Sequence, residues 1–485
     1  TFVRPVNRRA GTNMRAFLTS VALGIGALLS AQQAWTLDEC VKRAEARNLS
    51  IQRAMYDRDF AVQGQEAAKW GLLPNLNAAA THGYNWGQTI DRYTNTFATD
   101  RVRTNNFFLS SNWTLFGGLS QQNQFKKAKL DNLSAEESLA AARVDVQSGV
   151  VARFMEMLSA DARIKAANIT AERTREQITL TEAMVEAGRT ARVELLDLRS
   201  QLAREEYDIV TAENQYQQAR LRMAQLLQLT PQEASVFSIS APQLDAFEPL
   251  EPVVSVEQMM QRVLETHPAY KRTKLDLESA ERSIDIARAG GIPSLQFSAN
   301  VASGYSGRDE VIVGSPILGQ PQLAGFTESG ENVYTPNISY NTETKSFGTQ
   351  LKDNVNYSTS WTLSVPILNG RSAHTGAQQA RIRYEQARLQ QTDQEQQLQL
   401  TVQQAIADQR AAFKQFRAAS NAYEATNESL RYATERFQQG SVTALELSTA
   451  KANLNKANAD MITARYSYLL AEKSLEILQG LPLTL

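Results

Sequence analysis

The feature that most constrains this 485-residue sequence is an internal duplication, in which the spacing between equivalent residues hardly changes from one half to the other. Residues 36–78 align with 255–297 at an offset of 219, and residues 116–229 align with 368–481 at an offset of 252, both without a gap. The larger second offset places 33 additional residues between 307 and 355. Repeats that tolerate no length change predict parallel rods of fixed length. The insertion predicts a loop that nothing constrains.

The duplication divides the chain into a first repeat over 32–252 and a second over 253–485. Each half is predicted to run helix, strand, loop, strand, long helix, turn and helix. Proline is absent from 75–230 and from 367–481, as long helices require. The predicted helices are 37–72, 118–187 and 191–228 in the first half, and 256–290, 370–439 and 443–479 in the second. The predicted strands are 75–86, 104–116, 294–306 and 354–367.

The last helix of each repeat carries apolar residues at alternating steps of three and four. In the second half this seam consists of Leu447, Ala450, Leu454, Ala457, Met461, Ala464, Tyr468, Ala471, Leu475 and Leu478. In the first half it consists of Leu195, Leu198, Leu202, Glu205, Ile209, Ala212, Tyr216, Ala219, Met223 and Leu226. Such spacing predicts a coiled coil, and the small residues predict a close approach between the helices. The acid Glu205 is the one polar residue in either seam.

The predicted strands alternate between an apolar face and a small, polar face. The apolar positions include Leu295, Phe297, Val301 and Tyr305, then Tyr357, Trp361, Leu363, Val365 and Ile367, and in the first half Phe107, Leu109, Trp113 and Leu115. Strands of this length and pattern are typical of a membrane β-barrel, with lipid outside and water inside. Taken alone, the pattern fits equally well a sheet of a soluble β-sandwich that has one face exposed to solvent.

Four strands cannot close a membrane barrel, because single-chain barrels begin at eight strands. An open sheet in lipid would leave unpaired backbone groups, each costing several kcal/mol. Two copies would give eight strands with little lumen, whereas three would give twelve strands and a channel. If the sheet lies in a membrane, we therefore expect a trimeric barrel continued by a tube of helices.

The first 31 residues are predicted to be a leader and a secretory signal peptide. Met14 is followed by Arg15, by the apolar run 16–29 and by the small residues Ser30 and Ala31, which is the order of charges and apolar residues in a signal peptide. A membrane anchor helix is the alternative, although the run is short for a span. The single cysteine, Cys40, lacks the small residues that precede a lipid-modified cysteine, so we interpret it as an ordinary helix residue.

Composition disfavours several classes of function. One cysteine rules out a disulfide framework or a thiolate cluster. Fifty basic and 51 acidic residues argue against a nucleic-acid surface. The three histidines, His82, His267 and His374, are far apart and lack the spacing of metal ligands. We predict neither an enzyme nor a bound cofactor or metal.

The order of these features resembles the TolC family of outer-membrane efflux ducts over nearly the whole chain. The segments that carry the resemblance are 36–41, the paired Leu73-Pro74-Asn75-Leu76 and Ile292-Pro293-Ser294-Leu295, the paired 115–118 and 366–371, and the turns 187–196 and 439–447. The resemblance implies a mainly helical chain with some strands. It also implies a homotrimer with a 12-strand barrel in the outer membrane of a Gram-negative bacterium and a helical barrel in the periplasm. Implied partners are a periplasmic adaptor and an inner-membrane pump of the RND or ABC type.

The resemblance also implies roles for the two hairpin turns. Gly188 and Gly440 fit the position of left-handed backbone that ends a helix, and this structural role is independent of any function of the turns. In the family these turns form the periplasmic tip, where the adaptor docks and where the tube is closed. The implied tip residues are Gly188, Arg189, Arg192, Glu194, Gly440 and Glu446, and the candidate gate carboxylates are Asp197 and Glu446. The second acid and the basic partner of the family gate fall at Thr449 and Val442, so Asp197 and Arg192 are the candidate substitutes for that ion pair.

A periplasmic coiled-coil adaptor or scaffold is the alternative from another class. It would share the long helical hairpins. Two complete repeats and four strands with one apolar face favour the duct.

Overall fold

The computed structural model describes residues 34–98, 101–241, 249, 255–439 and 441–481. The predicted leader and signal peptide over 1–31 lies outside the described residues, as does Gly440. The described chain is mostly helical, as the sequence predicts. It divides into two compact units. The helical unit contains the described residues within Thr1–Phe60, Leu133–Lys274 and Leu389–Leu485, and the sheet unit contains those within Ala61–Asn132 and Leu275–Arg388.

The two halves contain long helices of matching length. The first half contains Leu37–Arg47 (α1), Leu49–Trp70 (α2), Ser120–Glu186 (α3), Arg192–Leu226 (α4) and Pro231–Val236 (α5). The second contains Val256–Thr266 (α6), Pro268–Ala289 (α7), Phe347–Asp353 (α8), Ser372–Gln438 (α9) and Ala444–Leu478 (α10). Both α3 and α9 have 67 residues, and both α4 and α10 have 35. Among the described helices, none is both long enough and apolar enough for a membrane crossing.

The prediction of continuous helices over 37–72 and 256–290 is wrong, because each is broken once. Asn48 has an extended backbone between α1 and α2, where its side-chain oxygen accepts from the Ser50 N–H at 2.9 Å and its amide donates to the Leu226 carbonyl at 3.2 Å. His267 is extended at the equivalent place between α6 and α7. It precedes Pro268, which disfavours helical backbone in the residue before it.

The core of the helical unit is built from the apolar faces of its helices. Its largest cluster contains Cys40, Val150, Val151, Phe154, Met155, Met157, Leu158, Met223 and Leu227, and a second contains Met259, Val263, Leu398, Val402, Ile406 and Leu475. The predicted seams supply buried side chains to this unit, including Glu205. Sequence spacing therefore identifies the helix faces that become buried.

Thr36 begins α1 with a capping box. Its hydroxyl accepts from the Glu39 N–H, while its own N–H donates to the Glu39 carboxylate.

The sheet unit contains a four-stranded antiparallel sheet. Its strands are Asn77–Asn85 (β1), Val102–Gly117 (β4), Ser294–Ser306 (β5) and Asn356–Ser364 (β10), in the order β1-β4-β5-β10. The two halves therefore meet at the central β4–β5 pair. Of the four predicted strand ranges, 294–306 is reproduced, 104–116 is two residues short at its start and one at its end, and 75–86 and 354–367 are too long.

The register places the predicted apolar residues opposite one another, except near the end of β4. Leu109 pairs with Val301, Trp113 with Phe297, and Trp361 with Phe297. The rings of Phe297 and Trp361 lie 4.8 Å apart. A register shift between Thr114 and Phe116 makes Phe116 the partner of Leu295, and leaves Leu115, which was predicted to continue the apolar face, without a partner in this pair. A β-bulge inserts one unpaired residue and so reverses the alternation beyond it.

The predicted loop over 307–355 contains regular structure. Its strands are Glu310–Leu318 (β6), Gln322–Phe326 (β7), Asn332–Thr335 (β8) and Ile338–Thr344 (β9). They form the pairs β6–β9 and β7–β8, and α8 follows them. In the first half, a short pair of Thr89–Ile90 (β2) and Phe97–Ala98 (β3) occupies the equivalent connection. The extra residues of the second half therefore form a long hairpin.

The base of these connections is fixed to β5 by buried polar groups. Gln350 of α8 is fully buried; its side chain accepts from the Ser306 N–H at 2.8 Å and donates to the Ser306 carbonyl at 3.0 Å. The Ser306 hydroxyl also donates to Asp91. Tyr93 donates its hydroxyl hydrogen to Asn106 at 2.6 Å, and its ring fills the space beside Gly304.

Candidate functional site at the helical hairpin turns

The turn after α3 has the geometry that ends a helix on a glycine. Gly188 has φ of +68°. Its N–H donates to the Val185 carbonyl at 3.0 Å, and the Arg189 N–H donates to the Met184 carbonyl at 2.8 Å. These two bonds define a Schellman motif, which satisfies carbonyls that the helix leaves open. The predicted helix stop is therefore confirmed at Gly188.

The turn after α9 repeats part of this pattern. The Ser441 N–H donates to the Arg436 carbonyl at 2.9 Å, across the same separation of five residues. The Ser441 hydroxyl donates to the same carbonyl at 3.0 Å. Gly440, which lies between them in the chain, is outside the described residues.

The two predicted acids occupy the same position at the start of the following helix. Glu194 is the third residue of α4, and Glu446 is the third residue of α10. The Glu446 N–H donates to the Thr443 hydroxyl at 3.2 Å, whereas Ala191 makes no side-chain cap for α4. A negative charge in the first turn stabilises a helix through its dipole. Both acids therefore have a structural role independent of any partner.

Most of the predicted tip and gate side chains lie on the surface. Arg189, Arg192, Asp197 and Glu446 are exposed in the single chain, whereas Glu194 is half-buried. Among the described residues, neither Arg192 nor Asp197 has an ion-pair partner within 4.0 Å. The ion pair that joins α3 to α4 nearest the turn is instead Arg199–Glu182, at 2.8 Å.

A buried polar network beyond the turns was missed in the prediction of tip residues. Gln201 donates to Glu205 at 2.9 Å and accepts from the Ser448 hydroxyl at 3.3 Å. Lys451 donates to Gln177 of α3. Burial lowers the pKa of Lys451, although the Glu205 carboxylate opposes that effect. The signal available in the sequence was the polar residue in the seam, Glu205.

The histidines lie in separate surroundings. The Nδ1 atom of His82 lies 2.5 Å from the Oδ1 atom of Asn105 on the neighbouring strand. His267 is half-buried between α6 and α7, and His374 is exposed at the start of α9. Over the part of the chain that the structure describes, no three His, Cys, Asp or Glu side chains lie together in a way that could hold a metal ion.

Solved structures of outer-membrane channel proteins share this fold. The crystal structure of CusC superposes with a TM-score of 0.73 at 16% identity, covering 92% of each chain. That of the outer membrane protein VceC from Vibrio cholerae gives a TM-score of 0.71 at 16% identity, covering 92% of this chain and 96% of VceC. At these identities the likeness concerns the fold alone.

Sequence comparison gives the family. The model of the outer membrane efflux protein family matches residues 40–228 and 259–481, one segment in each half. Outer membrane protein TolC of Vibrio cholerae serotype O1 is 23% identical over 460 residues, covering 93% of this chain and 92% of TolC. This chain belongs to the outer membrane efflux protein family. Its location is the outer membrane of a Gram-negative bacterium, with an extension into the periplasm, and its family consists of channel proteins.

Proposed function

We propose that three copies of this chain form an outer-membrane duct of a tripartite efflux or type I secretion system. A periplasmic adaptor and an inner-membrane pump of the RND or ABC type would deliver the substrate. The sheets of the three copies would form a 12-strand barrel in lipid, and the long helices would form a tube in the periplasm.

The edges of the four-stranded sheet carry this proposal. Among the described strands, β1 pairs with β4 alone and β10 with β5 alone, so each leaves one row of backbone groups unpaired. The exposed side chains of β10 include Tyr357, Trp361 and Leu363 on one face. In lipid, every unpaired backbone group costs several kcal/mol. Pairing β10 of one copy with β1 of the next would satisfy both edges and close a ring of three copies.

The hairpin turns would form the tip that meets the adaptor. The residues that we assign to it are Gly188, Arg189, Arg192, Glu194, Gly440 and Glu446, and we assign the gate carboxylates to Asp197 and Glu446. The exposure of Arg189, Arg192 and Glu446 supports this role. In a trimer, Asp197 and Glu446 would contribute rings of carboxylates, which favour cations at a constriction.

Native mass spectrometry of the mature chain, released from a mild detergent, tests the assembly. We expect a trimer, and crosslinking with glutaraldehyde before denaturation should give the same three-chain species. The trimer should also form ion-conducting channels in planar lipid bilayers. A purely monomeric protein in both experiments would contradict the proposal.

A further inference from the structure

One end of the four-stranded sheet carries two arginines that the proposed duct function does not use. Arg101 directly precedes β4, and Arg103 is the second residue of that strand. Both residues are exposed. Among the described residues, neither has an acidic partner within 4.0 Å. In the part of the chain that the structure describes, two neighbouring positive charges therefore have no carboxylate paired with them.

The strand register places Arg103 on the apolar face of the sheet. Residues directly opposite each other in an antiparallel pair point to the same face, and so do residues two apart in one strand. Tyr84 of β1 pairs with Arg103, and Tyr305 of β5 pairs with Asn105. Leu109 follows Arg103 in β4 at an even spacing. Arg103 and both tyrosines therefore share the face that the proposed barrel would turn toward lipid.

Each guanidinium lies over a tyrosine ring. The Cζ atom of Arg101 is 4.9 Å from the ring centroid of Tyr84, and that of Arg103 is 4.7 Å from the ring centroid of Tyr305. Tyr305 is 8% exposed, and its ring centroid lies 5.6 Å from that of Phe347 in α8, so Arg103 rests on a fixed ring. A guanidinium that stacks on a ring keeps the N–H donors of its own plane free. The stacking therefore positions both arginines and leaves donors available for an acceptor.

Two acids of the connections at this end of the sheet have other partners. The Asp91 carboxylate accepts from the Ser306 hydroxyl. Ser306 pairs with Thr104, so its side chain belongs to the opposite, polar face. Asp309 forms its ion pair with Lys345, at 3.3 Å. Neither acid pairs with the two arginines.

The position of Arg103 along β4 matches the depth of a lipid head group. Trp113 lies on the same face of β4, ten residues farther along the strand. Ten residues span about 33 Å along a strand, or about 25 Å along the membrane normal for a strand tilted by about 40°. This equals the height of the apolar band of a membrane barrel, about 25 Å. With Trp113 at one edge of that band, Arg103 lies at the other edge.

The arginines belong to the outer end of the proposed barrel. β4 begins at Val102, and after Gly117 at its other end the chain continues into α3. The helices therefore begin at the end of the strand that is opposite to Arg103. With the helices in the periplasm, as proposed, Arg103 meets the outer leaflet. In a Gram-negative bacterium this leaflet consists largely of glycolipids that carry phosphate groups.

We propose that Arg101 and Arg103 bind a phosphate group of a glycolipid in the outer leaflet. A guanidinium donates two parallel hydrogen bonds to phosphate oxygens, and two guanidiniums balance the charge of a phosphate monoester. Tyr84 and Trp86 are both exposed, with ring centroids 6.0 Å apart, and would contact the lipid at the level of its head group. The inference rests on the proposed barrel, because it requires this face of the sheet to meet lipid.

Native mass spectrometry of the full chain in a mild detergent, titrated with lipid A after removal of co-purified lipid, tests this site. Lipid A carries two phosphates and no positive charge, and we expect its retention to saturate. Phosphatidylethanolamine, whose ammonium offsets its phosphate, should be retained about ten-fold more weakly, because charge-assisted hydrogen bonds are the stronger ones. Inorganic phosphate at the concentration of the lipid should not displace it, because free phosphate lacks the apolar contacts.

The same spectra separate this inference from the proposed assembly. Retention is counted per chain, so it can be read from a trimer or from a monomer. A trimer that retains both lipids equally would contradict the phosphate site alone. A monomer would contradict the assembly, and its retention of lipid A would still decide the site.

Three double variants separate charge from geometry. Arg101→Gln with Arg103→Gln should weaken retention of lipid A about ten-fold, because both guanidinium donors are lost. Arg101→Lys with Arg103→Lys keeps the charge but lacks the planar fork, so its retention should lie between that of the glutamine variant and that of the wild type. Arg381→Gln with Arg383→Gln removes two exposed arginines of the same spacing from α9 and should leave retention unchanged.

Circular dichroism checks that each variant is folded. Unchanged retention by a folded Arg101→Gln, Arg103→Gln variant would overturn the proposal. So would equal retention of phosphatidylethanolamine, or displacement of lipid A by inorganic phosphate, which would identify a site for free phosphate.

Discussion

Equivalent residues of the two repeats differ in their surroundings. Glu194 and Glu446 both occupy the third position of a helix, yet Glu194 is half-buried and lines a small cavity with Lys451, whereas Glu446 is exposed. A carboxylate that is exposed to solvent can attract an ion that passes it, whereas a half-buried carboxylate is partly shielded by its neighbours. At this scale the two repeats are therefore not interchangeable.

The proposed gate assigns a measurable role to the exposed acids. Replacing Asp197 with Asn and Glu446 with Gln removes two negative charges from each chain near the turns. We expect a lower preference for cations over anions, because rings of carboxylates attract cations to a constriction. Reversal potentials in planar bilayers under a salt gradient measure this preference. Asp393→Asn with Glu395→Gln removes the same charge from exposed positions of α9 and should leave the selectivity unchanged; equal effects of the two pairs would refute the gate assignment.

His267 predicts a dependence of stability on pH. Burial lowers the pKa of His267 from 6.5, and Asp145 opposes this only partly. The unfolded chain therefore binds a proton more readily than the folded one, so stability falls as the pH decreases from about 6.5 through the lower folded-state pKa. Thermal unfolding at pH 7.5 and pH 5.5 should show a smaller loss for His267→Gln than for the wild type. The exposed His374→Gln variant is the matched control, and we expect its loss to equal that of the wild type.

Among the elements, the join between the first connection and β5 depends on a glycine. A Cβ on Gly304 would overlap the ring and hydroxyl of Tyr93 and would lie 2.7 Å from the Asn105 carbonyl oxygen. The position of Tyr93 is fixed by Asn106 and by the turn at Asp91. Gly304→Ala should therefore destabilise the protein by about 1–3 kcal/mol, the usual range for overpacking. The midpoint of thermal unfolding in detergent measures the change.

A double-mutant cycle separates this overlap from an effect on the strand itself. Tyr93→Ala removes the side chain that the new methyl would overlap most and leaves the contact with the Asn105 carbonyl oxygen, so Gly304→Ala should cost less in that background than in the wild type. Equal costs in the two backgrounds would show that the close approach of Tyr93 is not the reason for the glycine.

Element types followed from the sequence, and the break at His267 was available in it because His267 precedes a proline, whereas the interruptions at Asn48 and near Leu115 were not. Period-two and heptad spacing located the strands and the seams, because burial selects apolar residues at those periods. The break at Asn48 depends on a hydrogen bond to the carbonyl of Leu226, which is 178 residues away in the chain. The bulge near Leu115 depends on how β4 pairs with β5. Local spacing contains no information about such distant partners.

For the whole molecule, the long hairpin of the second half should be dispensable for folding and assembly. Its base is closed by the Lys345 N–H, which donates to the Asp309 carbonyl at 2.8 Å, and by an ion pair of 3.3 Å between their side chains. Replacing 310–344 with Gly-Gly keeps both ends of this base. We expect native mass spectrometry to give the same oligomer as the wild type. Replacing 346–354 removes the buried Gln350 and should instead destabilise the sheet unit, so similar oligomers and stabilities for the two deletions would contradict this division.

The candidate site was predictable only in part. The glycine stop at Gly188 follows from local chemistry, and the structure confirms it. The surroundings of Glu205 and Lys451 arise from three helices that are far apart in the chain, and a seam pattern on one helix indicates only that its residue is buried. Which polar group meets which is decided by the packing of α3 against α10, as in the bond from Arg163 to Thr463.

The equal lengths of α3 and α9, and of α4 and α10, limit how such a chain changes size during evolution. One inserted residue turns every following side chain by about 100° around the helix axis, which moves a seam residue off its seam. Seven inserted residues nearly restore the phase. Since α3 matches α9 in length and α4 matches α10, an insertion in a helix of one repeat should be tolerated when its counterpart in the other repeat gains the same number. Relatives with longer or shorter helical parts should therefore differ by lengths that restore the phase, such as seven residues, with matching changes in both repeats.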